Sequence, residues 1–437
     1  MPPSRSRGVS RREFVKAAVA IGGASALSAC LDREDPDLPQ GPDDLSGTPR
    51  RQHAWNASLS TDDHGNHLQP RHHLLLYLDY AGDGPPSDGD RDTVESALRS
   101  LERSYPRRTD DGEVGLLSTV GYSPAYFERF DDGLPDGVDL PAPEPLAPFE
   151  DPAPDEPDAV VHLASDYGSV VLAAEEALLG EQSTLNGREM DADFSGVFER
   201  ASLAEDGPNR RTGFIGAGLP AENQDVNGVP DSEPVPDDSP LYMGFKSGFE
   251  GNQASEDRVT ISEGPFAGGT TQHVSQIHLN LGQWYEQDSR EQREATMFCP
   301  AHADEDRIEG VGDNLGTDTG VEACAEDLDS DAREKGVVGH SQKTATVRED
   351  GSPIILRRDF DSTDGGQAGL HFLSLQSSIE AFVRTREAMN GSDLAEDTAV
   401  RQRANNGILQ YMSVRRRGNY LLPPREYRAL PSPRPGE

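Results

Sequence analysis

The residue types best suited to chemistry lie in the second half of the chain. Residues 244–248 (Gly-Phe-Lys-Ser-Gly) place a serine between two glycines, and His340 is followed 17 and 18 residues later by Arg357 and Arg358. A neutral imidazole can bind a metal ion, a guanidinium binds anions, and a hydroxyl relays a proton although it is a poor base. Each of these residues also has a purely structural interpretation. His340 could be an ordinary loop histidine, and the two arginines could form ion pairs at a strand end.

The glycine-rich segment 213–218 is the other candidate motif. It superficially resembles a dinucleotide-binding fingerprint, but the glycine spacing is wrong and Pro220 follows where a helix should begin. We therefore reject nucleotide binding there. The sequence contains no duplicated metal motif, nucleophile elbow or phosphate-binding loop that would indicate another class of enzyme.

The chain is strongly acidic. Its 437 residues include 40 Lys plus Arg and 78 Asp plus Glu, which gives a formal net charge of −38. Nucleic-acid binding through phosphate neutralisation requires a basic surface and is therefore excluded. The same charge argues against docking on anionic lipid through basic residues. Only four of the 40 basic residues are lysines. This composition predicts a salt-adapted, haloarchaeal-looking surface, and a GC-rich genome combined with acidic loops is the alternative.

The first thirty residues are interpreted as a targeting segment. Residues 10–16 (Ser-Arg-Arg-Glu-Phe-Val-Lys) match a twin-arginine export signal, and the apolar run over 17–29 is too short for a membrane span, which needs ~20 residues. Residues 27–30 (Leu-Ser-Ala-Cys) resemble a lipobox, in which Cys30 is acylated. The sequence therefore predicts export and lipid attachment at the cell surface, with a plain signal peptide as the alternative.

The remaining cysteines, Cys299 and Cys324, lie 25 residues apart. An exported chain permits a disulfide between them, although this spacing does not establish that they are close in space. Pairing therefore stays open at this point.

Hydrophobic periodicity predicts the same strand and helix alternation twice. In the first pass we expect strands at 73–79, 114–120 and 159–165 and helices at 92–105, 123–130 and 167–179. In the second pass we expect strands at 269–281, 353–357 and 370–375 and helices at 284–297 and 378–388. This pattern predicts an α+β fold built from two ferredoxin-like α/β sandwich halves, of the dimeric α+β barrel type, with long acidic loops at 140–158 and 303–335.

The expected domain organisation follows from these elements and from the loop-like composition between them. It comprises a signal over 1–30, a disordered tether over 31–70, an N-terminal half over 71–204, a linker loop over 205–240, a C-terminal half over 241–425 and a tail over 426–437.

An ordered series of motifs in the second half resembles the dye-decolourising peroxidases. Residues 244–248 resemble that family's G-x-x-D-G motif, and Gly339 and His340 stand where the family has its proximal haem histidine. The other matching segments, in the family's order, are 268–270 (Gly-Gly-Thr), the strand leading to Trp284, the helix from Arg290, 355–358 (Ile-Leu-Arg-Arg) and 369–373 (Gly-Leu-His-Phe-Leu). The resemblance covers about residues 70–425 and is strongest over 241–385.

This resemblance implies a haem b cofactor whose iron is bound by His340. It also implies that Arg357 stabilises the cleaving peroxide bond and that Ser247 occupies the position of the family's proton-transferring aspartate. Glu250 is a substitute carboxylate if its loop bends suitably. The other expected cofactor contacts are Gly244, Phe245, Gly248, Phe372 and, through a haem propionate, Arg358. Candidates for a carboxylate partner of the His340 ring are Asp359, Asp361 and Asp364.

The implied function is an exported haem peroxidase that reduces hydrogen peroxide and oxidises an organic donor. Because Ser247 replaces the family's aspartate, the alternative is a non-catalytic haem-binding surface lipoprotein. A scaffold that kept the fold without haem is a third possibility.

Overall fold

The computed structural model describes residues 37–436 except 136, 202, 204–208, 233–234 and 396–397. The predicted export signal, its lipobox and Cys30 lie outside these residues. Within the described part of the chain, no helix has the length and apolar character needed to cross a bilayer.

The strands in this part of the chain are β1 (His72–Tyr80), β2 (Leu117–Tyr122), β3 (Ala153–Pro154), β4 (Ala159–Ser165), β5 (Thr184–Leu185), β6 (Arg188–Glu189), β7 (Phe198–Arg200), β8 (Arg210–Phe214), β9 (Thr270–Leu279), β10 (Leu356–Arg357), β11 (Phe360–Ser362), β12 (Gly369–Gln376) and β13 (Met412–Leu422). The α-helices are α1 (Asp88–Ser104), α2 (Pro124–Phe127), α3 (Gly168–Leu178), α4 (Leu219–Glu222), α5 (Gly282–Glu286), α6 (Arg290–Met297), α7 (Pro300–Asp304), α8 (Val321–Ala325), α9 (Leu328–Glu334), α10 (His340–Thr344) and α11 (Ile379–Asn390).

Each half of the chain forms a four-stranded antiparallel sheet with the same order. The first half pairs its strands as β8-β1-β4-β2, and the second half pairs them as β11-β12-β9-β13. When the four strands of each half are numbered along the chain, the first sheet has the order 4-1-3-2. The second sheet has the same order when it is read in reverse, and this is the order of a ferredoxin-like sandwich. The predicted fold class is therefore confirmed.

The two sheets join edge to edge and close into a ring of eight strands. β11 meets β8 where Asp361 pairs with Phe214, and β13 meets β2 where Leu421 pairs with Tyr122. Closure covers the sheet edges, which would otherwise present unpaired backbone groups. Both faces of the sheet are then buried, one inside the ring and one beneath helices. This double burial explains the nearly continuous apolar runs in the strands.

The alternation of β1 shows how one strand supplies both faces. Leu74, Leu76 and Leu78 pack outward in a cluster with α1 and α3, whereas Leu75 and Tyr77 pack inside the ring with residues of β12 and β13. Successive side chains of a strand point to opposite faces, so one apolar run serves two cores.

Helix α1 begins earlier than its hydrophobic spacing predicts. Ser87 caps its N-terminus and Asp90 completes a capping box, so the helix starts at Asp88 rather than at 92. The predicted helix over 284–297 is interrupted, because Ser289 starts a new helix, α6, with its own capping box.

Three predicted irregular segments pack against the fold instead. The tether prediction is wrong for residues 37–70, because Trp55 is fully buried and the Gln52 amide bonds to the backbone of Val120 and Pro423. The predicted linker over 205–240 contains β8, a strand of the ring. The predicted tail over 426–437 is anchored by the fully buried Leu430.

The acidic segment over 303–335 is also more regular than predicted, since it contains α8 and α9. The hydrophobic pattern does not predict strand β13. Its alternation is hidden by the arginine run at 415–417.

A buried ionic group ties the interior of the ring together. The carboxylate of Asp155 accepts from Arg211 Nη2 at 2.5 Å and from Arg416 Nε at 2.6 Å, and both Asp155 and Arg211 are fully buried. Arg211 also donates to the Tyr77 hydroxyl at 2.9 Å. Because β1, β8 and β13 each supply one of these partners, the group links strands of both halves.

We expect Asp155→Asn to lower the free energy of unfolding by ~3–5 kcal/mol, because it leaves the buried Arg211 charge without its partner. Denaturant unfolding followed by circular dichroism measures this change. Asp191→Asn is the matched control, since it breaks the exposed Arg103–Asp191 pair and should cost at most ~1 kcal/mol. Equal losses in the two variants would contradict the role assigned to Asp155.

Candidate functional site

A large cavity lies in the second half, between the sheet and the short helices that follow it. Its empty volume is about 1630 Å³, including space open to solvent. Its lining is drawn from segments spread over the second half of the chain, from Leu241 to Arg417. The lining is mainly apolar and includes Phe245, Phe249, Ile277 and Phe372, with a few charged side chains among them. We call this space the inner cavity.

Strand alternation determines which residues near Arg357 reach the inner cavity. Arg357, Asp359 and Asp361 line it. Leu356 and Phe360 lie in the hydrophobic cluster inside the ring, and Arg358 is buried on that side as well. Residues two apart in extended backbone share a face, so three charged groups are aligned along one wall.

The backbone of Arg357 is fixed by a single amide side chain. Arg357 N–H donates to Gln253 Oε1 at 2.9 Å, and Gln253 Nε2 donates to the Arg357 carbonyl at 3.2 Å. The guanidinium itself forms no hydrogen bond or ion pair with any residue that the structure describes. The backbone of Arg357 is thus held in place, while its guanidinium is available to bind a ligand.

His340 begins helix α10 and lines the same cavity. Gly339 precedes it, and a Cβ there would lie 1.9 Å from the carbonyl oxygen of Phe298, so only glycine fits. Gly407 packs against the other side of this turn, where a Cβ would lie 3.0 Å from His340 Cα. The position of the imidazole is therefore set by two close backbone approaches.

The His340 ring is electrically neutral. Burial, together with the charges of Lys343, Arg357 and Arg386, lowers its pKa to about 3. Its Nδ1 atom is buried and has no hydrogen-bond partner among the described residues. A buried neutral imidazole with an unused nitrogen is suited to binding a metal.

None of the three expected carboxylate partners reaches the His340 ring. Asp361 accepts from the Tyr242 backbone N–H, and burial raises the pKa of its carboxyl group well above the ordinary value. Asp364 bonds to His371 Nε2 at 3.0 Å. Asp359 lies on the cavity wall beside Arg357. The prediction of a carboxylate partner is therefore wrong for this structure.

A second, outer cavity meets the inner one. Four residues line both cavities and thus form a neck between them: Lys246, Ser247, Arg357 and Asp359. The amine of Lys246 is paired with Asp62 and lies 3.3 Å from Asp313. Ser247 therefore lies at the neck and borders both cavities.

Some of the other predicted site residues line one of the two cavities, and the others line neither. Phe245 and Phe372 line the inner cavity, and Gly248 lines the outer one. Gly244 lines neither, and its φ of 81° shows that it serves the turn. Glu250 is exposed and also lines neither, so it supplies no carboxylate to the site.

Arg358 is the clearest correction. Its guanidinium lies 4.3 Å from the ring centroid of Trp55, donates to the His53 carbonyl at 2.7 Å and pairs with Glu256 at 3.0 Å. It faces away from the inner cavity because it alternates with Arg357. The predicted contact between Arg358 and a haem propionate is wrong.

Sequence reasoning missed three cavity-lining arginines, Arg348, Arg386 and Arg417. Arg386 and Arg417 share the carboxylate of Glu150, at 3.1 and 2.8 Å. Arg386 could have been found from its position one turn after Phe382 on the same face of α11. Arg417 could not, because a register shift between Val414 and Arg416 changes which residues of β13 face the cavity.

Cys299 and Cys324 form a disulfide, which resolves the pairing left open by the sequence. His302 Nδ1 lies 2.8 Å from Cys299 Sγ, so the three side chains are of metal-ligand type, but the disulfide occupies both sulfurs. The bond also joins the two segments that hold α10. Gln342 N–H donates to the Phe298 carbonyl at 3.1 Å, and Gln342 Nε2 donates to the Cys324 carbonyl at 2.8 Å.

We expect reduction of the disulfide, or the double variant Cys299→Ser and Cys324→Ser, to speed amide hydrogen exchange in α10. A cross-link over a loop of this length contributes ~3 kcal/mol in the chain-entropy view, so exchange through local opening should rise by about 10-fold or more. Mass spectrometry of exchanged peptides measures this effect, with α1 as the internal control. Equal acceleration of both helices would show general unfolding and contradict the local effect.

Comparisons with known proteins identify the fold. A dye-decolorizing peroxidase from Bacteroides thetaiotaomicron is 14% identical, with a TM-score of 0.53, and the match covers 85% of this chain and 98% of that one. A dye-decolorizing protein from V. cholerae is 14% identical, with a TM-score of 0.52 and coverages of 86% and 98%. A Rhodococcus jostii DypB variant in complex with heme is 16% identical, with a TM-score of 0.53 and coverages of 83% and 96%.

These similarities establish a common fold. No curated protein matches the sequence. The model of a family of unknown function, DUF7405, matches residues 70–424, which is most of the chain. The protein therefore belongs to the DUF7405 family and has the fold of the dye-decolorizing peroxidases.

Proposed function

We propose that the protein is a haem-dependent peroxidase that reduces hydrogen peroxide and oxidises an organic donor. One observation carries the proposal. In a single large cavity, the neutral imidazole of His340 and the guanidinium of Arg357 both lack partners among the described residues. The two are near enough for the charge of Arg357 to lower the pKa of His340.

The residues of the inner cavity fit a haem, with haem b as the proposed form. His340 would bind the iron through a neutral nitrogen, as proximal histidines do. Phe245, Phe249 and Phe372 offer apolar surface to the ring system. Arg386 and Arg417 share the single carboxylate of Glu150, so the group keeps a net positive charge for the acidic groups of the cofactor, and Arg348 lines the same cavity. The similar fold of a protein solved in complex with heme supports the same cofactor.

When bound, haem would supply the electrons that cleave the O–O bond. Arg357 holds a permanent positive charge beside the place where negative charge develops during cleavage. Arg357 also borders the outer cavity, which it shares with Lys246, Ser247 and Asp359. The apolar side chains around Arg357 lower the local dielectric constant and so strengthen the effect of that charge.

We also propose that the chain is exported through the twin-arginine pathway and attached to the membrane through acylated Cys30. Residues 10–16 and the lipobox over 27–30 support this location. Metabolic labelling with a fatty acid tests it, since Cys30→Ala should abolish incorporation of the label. Incorporation that persists in Cys30→Ala would contradict lipid attachment at that residue.

Haem titration of the haem-free protein tests the cofactor. We expect a Soret band in the wild type and, in His340→Ala, a shifted band with affinity lowered by about 10-fold or more, because the iron loses its axial ligand. His278→Ala is the matched control, since His278 lies on β9 and does not line the cavity. An unchanged band in His340→Ala would contradict the ligand assignment.

The pH dependence of haem uptake follows from the same imidazole. Because the pKa of His340 is lowered to about 3, its ring is already deprotonated at pH 5. Protons therefore compete little with iron between pH 7 and 5, and we expect the affinity for haem to change less than about 3-fold in that range. An ordinary histidine, with a pKa near ~6.5, would lose about 10-fold or more at pH 5. Spectrophotometric titration at both pH values measures the difference.

The role of Arg357 is tested by the rate at which haem-loaded protein reacts with peroxide. We expect Arg357→Gln to lower this rate by about 10²–10³-fold, the usual cost of removing one group that stabilises developing charge. Arg415→Gln is the control, because Arg415 is exposed and lies outside both cavities. A wild type that binds haem but does not react with peroxide would favour the alternative, a non-catalytic haem-binding lipoprotein.

A further inference from the structure

We propose that Asp359 is the acid–base residue of this site, moving the peroxide proton that Ser247 cannot accept. The inference rests on the proposed peroxidase function and deepens it. It assigns the task to a residue in a different element, the segment between β10 and β11, rather than to the glycine-flanked loop at 244–248. A hydroxyl in that loop is a poor base, whereas a carboxylate is a suitable one.

The first support is position. Asp359 and Arg357 both line the neck between the cavities, together with Ser247 and Lys246. Arg357 and Asp359 are separated by one residue in extended backbone, so they share a face and their Cα atoms lie ~7 Å apart. Both side chains therefore border the same space, where a small molecule such as hydrogen peroxide would meet them.

The second support is that the carboxylate is unused. Asp359 is only 8% exposed, and its carboxylate forms no hydrogen bond or ion pair with any residue that the structure describes. Buried carboxylates are normally paired, so an unpaired one that opens onto two cavities points to a ligand.

The other nearby carboxyl groups are engaged elsewhere. Asp361 is fully buried and accepts from the Tyr242 N–H, and burial raises the pKa of its carboxyl group. Asp62 is paired with Lys246, and Asp313 lies 3.3 Å from the same amine. Glu250 lines neither cavity. Among the described residues of the neck, Asp359 is thus the carboxylate free to accept a proton.

The proposed role is a proton transfer between the two peroxide oxygens. The Asp359 carboxylate would take the proton from one peroxide oxygen and give it to the other. The protonated oxygen would then leave as water with both peroxide protons and the electron pair of the broken O–O bond, and a bound haem would supply the two electrons that the remaining oxygen needs. The organic donor returns those electrons one at a time. The remaining oxygen atom leaves as a second water after taking up two protons from solvent.

The test compares Asp359→Asn with Glu250→Gln, the same acid-to-amide change at an exposed position outside both cavities. Haem uptake is measured first by the Soret band, and both variants should retain it. The association rate of cyanide is the second measurement, because hydrogen cyanide must also give up a proton when it binds. The third is the rate of reaction with hydrogen peroxide.

Because general-base assistance contributes ~10²–10⁴-fold, we expect Asp359→Asn to slow the peroxide reaction by about 10²-fold or more. Cyanide association should slow by about 10-fold or more, and Glu250→Gln should match the wild type in both. Asp359→Ala, which also removes the base, should reproduce the losses and replaces the amide variant if that variant does not fold.

The outcomes separate the two proposals. A wild type that takes up no haem overturns the proposed function and this inference with it. A normal Soret band with unchanged cyanide and peroxide rates in Asp359→Asn overturns this inference alone. A larger loss in Ser247→Ala than in Asp359→Asn does the same, because it would assign the proton transfer to the hydroxyl.

Discussion

The site depends on the two-residue alternation of one short segment that lies between two buried spaces. From Leu356 to Asp361, every second side chain enters the inner cavity and the others enter the core of the ring. Arg357 and Arg358 are neighbours of the same type with opposite surroundings, one facing the cavity and the other stacked on Trp55. A shift of one residue in this segment would exchange all of these positions. Gln253, which bonds both backbone groups of Arg357, holds the segment in register.

The ring supports this segment from a distance. β11 links the second half to β8 of the first half at a single residue pair. Burial of Asp155 with Arg211 and Arg416 adds a polar connection between β8 and β13 inside the ring. Elsewhere in the cavity lining, α10 is held by hydrogen bonds from Gln342 to the carbonyls of Phe298 and Cys324. Distant parts of the chain therefore fix the few side chains that matter for chemistry.

Much of the fold could be predicted from the sequence because hydrophobic periodicity reports burial directly. The strand at 159–165 was predicted with its observed bounds, and both ferredoxin-like halves follow from the order of the elements. The packing of residues 37–70 could not be predicted, since their Pro and Asp content is typical of tethers and only Trp55 indicates a core. Of the site residues, Arg357, Ser247, Phe245, Phe372 and His340 do meet in one cavity. Whether they act as the resemblance implies stays a prediction.

The remaining differences arise from contacts that no local pattern records. Asp359 is one of three candidate partners of His340 in the sequence, and only the three-dimensional arrangement places it at the neck instead. The register shift between Val414 and Arg416 has a consequence of the same kind. Insertion or deletion of one residue there would change which arginine of the run pairs with Asp155 and which one lines the cavity. The number of residues in this strand therefore determines which arginine faces the cavity. A sequence alignment that places a gap within the arginine run would conceal that assignment.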